Sequence, residues 1–221
     1  MGKQGAGLMS KGPGRRMLWV VLLALLLVAL AFEPLFGAST VHEIVRLVLL
    51  QMSVVGALFV SAPPGRLRTL CLVVSGIWFV AAVLSLTFDP FHGMIALLSL
   101  LMLFASLLAT FANLIKREDV DVEGLLEGIY GYFLLAMVWA ILFVQIERWL
   151  PGAFRLPDGR DLSVEMIYFS LVTLTTLGYG DVLPVAPAAQ FAAGMEAAVG
   201  VLYVAVLIGS MVGSYQSRRR Q

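Results

Sequence analysis

The residues best suited to chemistry lie in one short segment in the last third of the chain, Thr173-Leu-Thr-Thr-Leu-Gly-Tyr-Gly-Asp181. Gly178 and Gly180 flank Tyr179, and glycine adopts backbone conformations with positive φ at little cost. Alternating such residues with ordinary ones lets successive carbonyl oxygens point to one side, which a regular strand forbids. The segment therefore predicts a row of backbone oxygens that face the same side of the chain.

A short helix is expected immediately before this segment. The stretch from Met166 to Leu177 is apolar and rich in threonine, but it is too short to cross a bilayer, since runs of roughly 10–14 apolar residues are more often re-entrant or interfacial. Asp161 or Ser163 can cap its first turn. Its C-terminal end would point into the membrane with a partial negative charge, which favours a nearby cation.

The segment from Thr173 to Asp181 resembles the signature of the tetrameric potassium channel family at nearly every position. The resemblance extends from about Leu125 to Ser214. It implies an all-α membrane protein with six transmembrane helices, a re-entrant pore helix and a selectivity filter, assembled as a homotetramer through the pore domain. It also implies K⁺ as the permeant ion, no other cofactor, and a filter formed by Thr176, Leu177, Gly178, Tyr179 and Gly180, of which the first four bind K⁺.

The same resemblance assigns supporting roles around the filter. Thr175, Asp181 and Tyr168 are expected to support it, and Tyr168 can hydrogen-bond to Asp181. Leu177 stands where the family usually has valine. Tyr168 and Phe169 stand where many members have two tryptophans, and Phe169 has no polar atom with which to brace Tyr179. These departures concern the stability of the filter and not its selectivity.

Two residues of the last helix are candidates for the gate. Gly200 lies where related channels often have a hinge glycine, and close helix packing is the alternative interpretation. Glu196 is the only acid well inside this span, and ionisable groups at such positions are functional candidates. We expect a buried carboxyl bonded to the pore helix at Ser170 or Thr173, with a cavity-lining charge as the alternative.

The composition predicts lipid as the main solvent of the chain. Hydrophobic residues make up 60% and charged residues 13% of the 221 residues, against about 45–50% and 25% in soluble domains. Stretches of about 20 apolar residues can span a bilayer, and we identify six: Met17 to Phe36, Val41 to Ala62, Leu67 to Phe88, Phe91 to Ile115, Leu125 to Leu150 and Pro187 to Tyr215. The first could also pass for a cleaved signal peptide.

Basic residues near the span ends predict the orientation. With a cytoplasmic N-terminus, 11 of the 15 lysines and arginines lie inside: Lys3, Lys11, Arg15, Arg16, Arg66, Arg68, Lys116, Arg117, Arg218, Arg219 and Arg220. Both termini are then cytoplasmic. We expect a multi-pass protein of the cell membrane, in the bacterial inner membrane, whose partners are lipid and its own copies and not nucleic acid.

Five regions follow from these boundaries. Residues 1–16 form a cytoplasmic tail, 17–115 a four-helix domain resembling a voltage sensor, 116–128 a cytoplasmic linker, 125–215 the pore domain and 216–221 a basic tail. The fourth span contains no Arg or Lys, and voltage sensing requires several charges in the membrane field. We therefore predict a channel that is not voltage-gated. Alternatives are a nonselective cation channel and a silent regulatory subunit of another channel; no span has the residue arrangement of an enzyme.

Overall fold

The computed structural model describes residues 13–37, 40–61, 66–85, 92–115, 121–157 and 159–219. They form seven helices and two very short strands: α1 (Pro13–Phe36), α2 (Thr40–Ser61), α3 (Arg66–Ser85), α4 (His92–Ile115), α5 (Val122–Trp149), β1 (Phe154–Arg155), α6 (Leu162–Leu174), β2 (Leu183–Pro184) and α7 (Pro187–Arg219). The predicted all-α membrane fold is confirmed.

Five helices in the described ranges are long and apolar enough to cross a membrane: α1, α2, α4, α5 and α7. The remaining long helix, α3, has 20 residues and therefore measures about 30 Å at 1.5 Å per residue. Its described apolar part, Leu72–Val83, is shorter. The 13 residues of α6 are too few to span, as expected of the re-entrant helix. The chain is a multi-pass membrane protein.

Among the described residues, three helix ends differ from the sequence prediction by more than one residue. Helix α1 ends at Phe36 as predicted, before Gly37 adopts a φ of 75°, the left-handed conformation common after helix ends, but it begins at Pro13 and not at Met17. Helix α5 begins at Val122 and not at Leu125, because the Asp121 side chain accepts a hydrogen bond from the Gly124 amide at 3.2 Å. Helix α7 continues beyond Tyr215 to Arg219. The linker residues 116–120 and the ends of both tails, 1–12 and 220–221, lie outside the described ranges.

The first four helices pack against α5 within the same chain, mainly through α1 and α4. Their shared core surrounds Trp19 and Tyr130, whose ring centroids are 5.5 Å apart. Two polar contacts join the same elements. The Ser53 hydroxyl lies 3.2 Å from the Tyr130 hydroxyl, and Arg15 forms a 3.1 Å ion pair with Glu123. The four-helix region is therefore fixed to α5.

A second core holds the loop segments around α6. Phe143, Phe154 and Phe169 form a cluster of edge-to-face rings with centroids 5.1 to 5.5 Å apart. The Glu147 carboxylate accepts hydrogen bonds from the Gly152 and Phe154 amides at 2.8 and 2.9 Å. Strands β1 and β2 pair antiparallel in this region. These contacts connect the end of α5 to the segment that follows residue 181.

Candidate ion-conduction site

Helix α6 is oriented by a cap at its first turn. The Asp161 carboxylate accepts hydrogen bonds from the amides of Ser163 at 2.8 Å and Val164 at 3.3 Å. Asp161 is therefore the N-cap, one of the two residues that the sequence proposed. The next acid, Glu165, is buried and forms a 3.0 Å ion pair with the exposed Arg160. With its start fixed in this way, α6 directs its C-terminal carbonyl groups toward residues 175–180.

The chain folds back on the end of α6 directly after Leu174. The amide of Thr176 donates to the Thr173 carbonyl at 2.9 Å, and the amides of Leu177 and Gly178 donate to the Val172 carbonyl at 2.9 and 3.3 Å. The Thr175 hydroxyl donates to the Leu171 carbonyl at 2.7 Å. Carbonyl groups in the last turn of a helix have no partner within the helix, so this segment satisfies them and is itself fixed in place.

Residues with a left-handed backbone alternate along this segment. Thr176 and Gly178 both have a φ of 58°, and Gly180 has a φ of 80°. The two glycines were expected from the sequence, but the positive φ of Thr176 was not. A side chain in this region costs about 1–2 kcal/mol, so the fold imposes the conformation on Thr176. The alternation turns successive peptide groups the same way.

The carbonyl groups of residues 176–180 are exposed and accept no hydrogen bond from the described residues. Thr176, Gly178 and Gly180 are exposed, as are Leu177 and Tyr179 at 55% and 68%. Among the hydrogen bonds of the described residues, none is accepted by the carbonyl oxygens of residues 176–180. The five filter residues predicted from sequence are thus contiguous, exposed and free to coordinate through backbone oxygen.

Asp181 follows the last residue of this segment and ties it back to α6. The Tyr168 hydroxyl donates to its carboxylate at 2.7 Å, the contact anticipated from the sequence, and the Val182 amide donates at 3.1 Å. The hydrogen bond from Tyr168 is the main cause that lowers the pKa of Asp181 from its ordinary value of 3.8. Since the charged carboxylate accepts both bonds, the contact is strongest when Asp181 is ionised.

Phe169 does not contact the filter through a polar atom. It lies in the aromatic cluster with Phe143 and Phe154. A cleft of about 220 Å³ lies behind the filter, lined by Phe169, Val172, Gly178, Asp181 and other residues. The space behind the filter of one chain is therefore apolar and incompletely filled.

Glu196 is fully buried between α7, α6 and α5. Its carboxyl lies 2.5 Å from the Ser170 hydroxyl, and the same hydroxyl lies 2.8 Å from the Ala136 carbonyl. A hydroxyl has one proton, so both contacts are hydrogen bonds only when the carboxyl supplies the second proton. The geometry favours the buried carboxyl bonded to the pore helix at Ser170, and within this chain Glu196 does not face an open cavity.

Gly200 makes a close approach to the end of α6. A Cβ atom added at this position would lie 2.5 Å from the Leu174 carbonyl oxygen and 2.9 Å from its Cδ1. No side chain fits at that distance from a backbone atom without displacement. Close packing, the alternative to a hinge, therefore explains by itself why a glycine stands here.

Sequence reasoning missed Tyr132, whose hydroxyl donates to the Leu174 carbonyl at 3.0 Å. It lies on α5, 42 residues before its acceptor, and a tyrosine in a membrane span carries no local signal of such a partner. The same is true of Tyr203 on α7, whose hydroxyl donates to the Gly128 carbonyl at 2.8 Å.

Comparison with known proteins places this site in a family. A family model described as "Ion channel" matches residues 132–216. The chain is 35% identical over 81 residues to two pore potassium channel c of Oryza sativa subsp. japonica, covering 36% of this chain and 18% of that protein. It is 41% identical over 66 residues to potassium voltage-gated channel protein shk-1 of Caenorhabditis elegans, covering 29% and 12%.

A third relative is much shorter. Potassium channel protein kcv of Paramecium bursaria Chlorella virus 1 is 33% identical over 58 residues, which are 24% of this chain and 62% of the viral protein. In each case the match spans less than two thirds of the relative. No solved structure matches the chain.

The segment from residue 132 to residue 216, which contains α6, the filter and most of α5 and α7, is similar to the ion channel family. More narrowly, its relatives are potassium channels by name. The resemblance seen in the sequence is confirmed.

Proposed function

We propose that this chain is a subunit of a potassium-selective channel that conducts K⁺ passively through a homotetrameric pore and catalyses no reaction. The observation that carries the proposal is the alternation of left-handed residues at 176, 178 and 180 with exposed carbonyl groups that accept no hydrogen bond from the described residues. Four such segments around one axis would form stacked oxygen cages that replace the hydration shell of K⁺. The Thr176 hydroxyl would add a ligand at the inner end.

The exposure of the filter supports assembly around an axis. Backbone that is not helical is tolerated at membrane depth only where protein buries it or where it lines a water-filled cavity. Residues 176–180 lie between the spans α5 and α7 and are exposed in the single chain. A ring of copies places the same segment at the edge of a water-filled pore and lets neighbouring chains cover the apolar cleft behind it.

The charge of the first four helices supports a pore that does not open with voltage. Helix α4 has no Arg or Lys, and Arg46 on α2 is the one Arg or Lys more than two residues from an end of the predicted spans of this region; Arg68 is the second residue of the third span. Each gating charge contributes about 2.3 kcal/mol per 100 mV, so one charge per subunit gives a shallow response. Opening then depends on another movement, for which bending of α7 at Gly200 is the proposed hinge.

The ion pairs at the start of α1 support cytoplasmic termini. Arg15 pairs with Glu123 and Arg16 lies 3.4 Å from Asp121, so the first turns of α1 and α5 lie on one side of the molecule. Both turns follow basic residues that predict a cytoplasmic position. We propose the bacterial inner membrane, with both termini and the 116–120 connection inside.

Flux through purified protein tests this function. Liposomes that contain the protein and a K⁺ gradient should develop the K⁺ equilibrium potential, and replacing K⁺ with Na⁺ should abolish it. Equal passage of K⁺ and Na⁺ would instead identify a nonselective cation channel. Protein that assembles but passes neither ion would be a silent subunit. Cross-linking in the same liposomes should give a four-chain product. Currents recorded between −100 and +100 mV should show no steep activation, as expected from about one gating charge per subunit.

A further inference from the structure

One carbonyl group at the end of α6 is satisfied by a different helix. The last four residues of α6 are Leu171, Val172, Thr173 and Leu174. The carbonyl groups of the first three accept hydrogen bonds from residues 175–178, the segment that begins the filter. The fourth, on Leu174, accepts from the Tyr132 hydroxyl at 3.0 Å.

The Tyr132 bond completes the restraint on one peptide plane. The Leu174 carbonyl and the Thr175 amide belong to the same planar group. The amide donates to the Leu171 carbonyl at 3.1 Å, and the carbonyl accepts from Tyr132. Because both ends of the plane are held, its rotation is fixed one peptide group before the one that precedes Thr176, the residue with the unfavourable φ of 58°.

Both partners of this bond are packed against helix α7. The Leu174 carbonyl oxygen lies so close to Gly200 that an added Cβ atom would be 2.5 Å from it. Any side chain at position 200 would therefore displace this carbonyl group. The tyrosine ring is held by Tyr203, with ring centroids 5.7 Å apart, which restricts where the hydroxyl can point.

We propose that Tyr132 is a positioning residue for the filter. Its hydroxyl holds the Leu174–Thr175 peptide plane and thereby stabilises the left-handed backbone at Thr176, the inner end of the ion-binding segment. Tyr132 does not touch the ion. The proposal rests on the proposed function, because it gives Tyr132 a role in the affinity of the filter for K⁺.

Two conservative variants separate this role from ordinary packing. Tyr132→Phe removes the hydroxyl at the Leu174 carbonyl and keeps the ring. Tyr203→Phe is the matched control, since it removes a hydroxyl of the same kind from the Gly128 carbonyl, away from the filter. The measurement is thermal dissociation of the purified assembly over a range of K⁺ concentrations, with Na⁺ replacing K⁺ at constant ionic strength.

A ligand that binds only the native filter stabilises the assembly according to its concentration relative to its dissociation constant. We expect Tyr132→Phe to require about threefold to tenfold more K⁺ for half of the maximal stabilisation, the range of one hydrogen bond, and Tyr203→Phe to stay within about twofold of the unchanged protein. Equal K⁺ dependence in both variants, or a loss of stability in Tyr132→Phe that is independent of K⁺, would overturn the proposal.

A further variant tests the same inference if Tyr132→Phe does not assemble. Gly200→Ala displaces the same carbonyl from the side of α7 and should raise the K⁺ requirement in the same direction, whereas unchanged K⁺ dependence there contradicts the inference. If the unchanged protein is neither stabilised by K⁺ nor able to conduct it, the proposed function itself fails, and that result is seen without any variant.

Discussion

The two halves of the chain use polar side chains in different ways. In residues 121–219, side chains bind specific backbone groups near the filter, as Tyr132 does at Leu174 and Ser170 at Ala136. In residues 13–115, the core is formed mainly by apolar side chains such as Trp19, Leu26 and Leu58. Hydrogen bonds of the first half, such as the one from the Ser53 hydroxyl to the Leu22 carbonyl at 2.9 Å, join one helix to another, whereas those of the second half also fix the non-helical backbone next to the filter.

This difference explains where the chain resembles other proteins. Apolar helix contacts tolerate exchange among residues of similar volume, so many sequences can form the first four helices. A backbone that must present carbonyl oxygens at fixed positions accepts few residues at each place. All three relatives described above are matched over 81 residues or fewer, and the family model covers residues 132–216.

The largest effect is expected from one methyl group in the filter. Gly178→Ala places a side chain at a φ of 58°, although no atom lies within 4 Å, so strain and not crowding is the cause. At about 1–2 kcal/mol in each subunit of the proposed tetramer, K⁺ flux should fall at least about a hundredfold. Gly76→Ala on α3 is the matched control, since its surroundings are equally open. It should leave flux unchanged and stabilise the helix by about 1 kcal/mol.

Flux measurements on both variants in liposomes sharpen the comparison. If Gly178→Ala conducts as well as Gly76→Ala, the left-handed backbone is not required and the difference between the two halves disappears. Reduced flux in both would point to a general effect of glycine replacement on assembly.

A smaller effect is expected at Gly200, where crowding and flexibility must be separated. Gly200→Ala should destabilise the assembly by about 1–3 kcal/mol, the usual cost of an overpacked contact, because the new methyl group meets the Leu174 carbonyl. Adding Ala198→Gly restores a flexible residue to the exposed face of α7 without removing the clash. Recovery of open probability in this double variant, measured in single-channel records, would support the hinge. No recovery would favour packing alone.

Much of the architecture was predictable because it depends on local patterns. Apolar stretches located α1, α2, α4, α5 and α7, and the Asp161 cap and the glycines of the filter followed from known preferences of those residue types. Boundaries were less accurate where a helix extends beyond its apolar stretch, as at Pro13, Val122 and Arg219. These errors amount to a few residues at helix ends.

The parts that sequence reasoning did not reach depend on contacts between distant residues. Tyr132 and Leu174 are 42 residues apart, and Ser53 and Tyr130 are 77 apart. Neither pair has a pattern that indicates a partner, because the geometry arises only when α5 is packed against its neighbours. The positive φ of Thr176 was also missed, because it arises where the chain folds back so that the amides of residues 176–178 reach the Val172 and Thr173 carbonyl groups, a conformation that threonine alone does not favour.

Acid should reveal the contact between Tyr168 and Asp181. The pKa of Asp181 is lowered in the folded state mainly by the Tyr168 hydroxyl, so the stabilisation it provides is present above the ordinary value of 3.8 and is lost as the pH falls through the lowered pKa. Tyr168→Phe removes the donor and should move the acid loss of K⁺ flux to a higher pH. Flux measured against external pH, with Tyr203→Phe as control, should show this shift in Tyr168→Phe only. Identical acid profiles in both variants would show that the contact between Tyr168 and Asp181 does not stabilise the filter.

The smallest effect is expected at Glu196, which tests whether the polar groups behind the filter act through structure or through charge. The carboxyl is fully buried against Ser170, and an amide can replace a neutral carboxyl as both donor and acceptor. Glu196→Gln should therefore keep single-channel conductance within about twofold at both low and high ionic strength. Glu196→Ala leaves the Ser170 hydroxyl without this partner and should cost about 1–3 kcal/mol of stability. A severalfold decrease for Glu196→Gln that is confined to low ionic strength is the signature of a charge that attracts cations to the pore. That result would mean that α7 turns Glu196 toward the cavity in the assembled channel, and the restraint by Ser170 would not survive assembly.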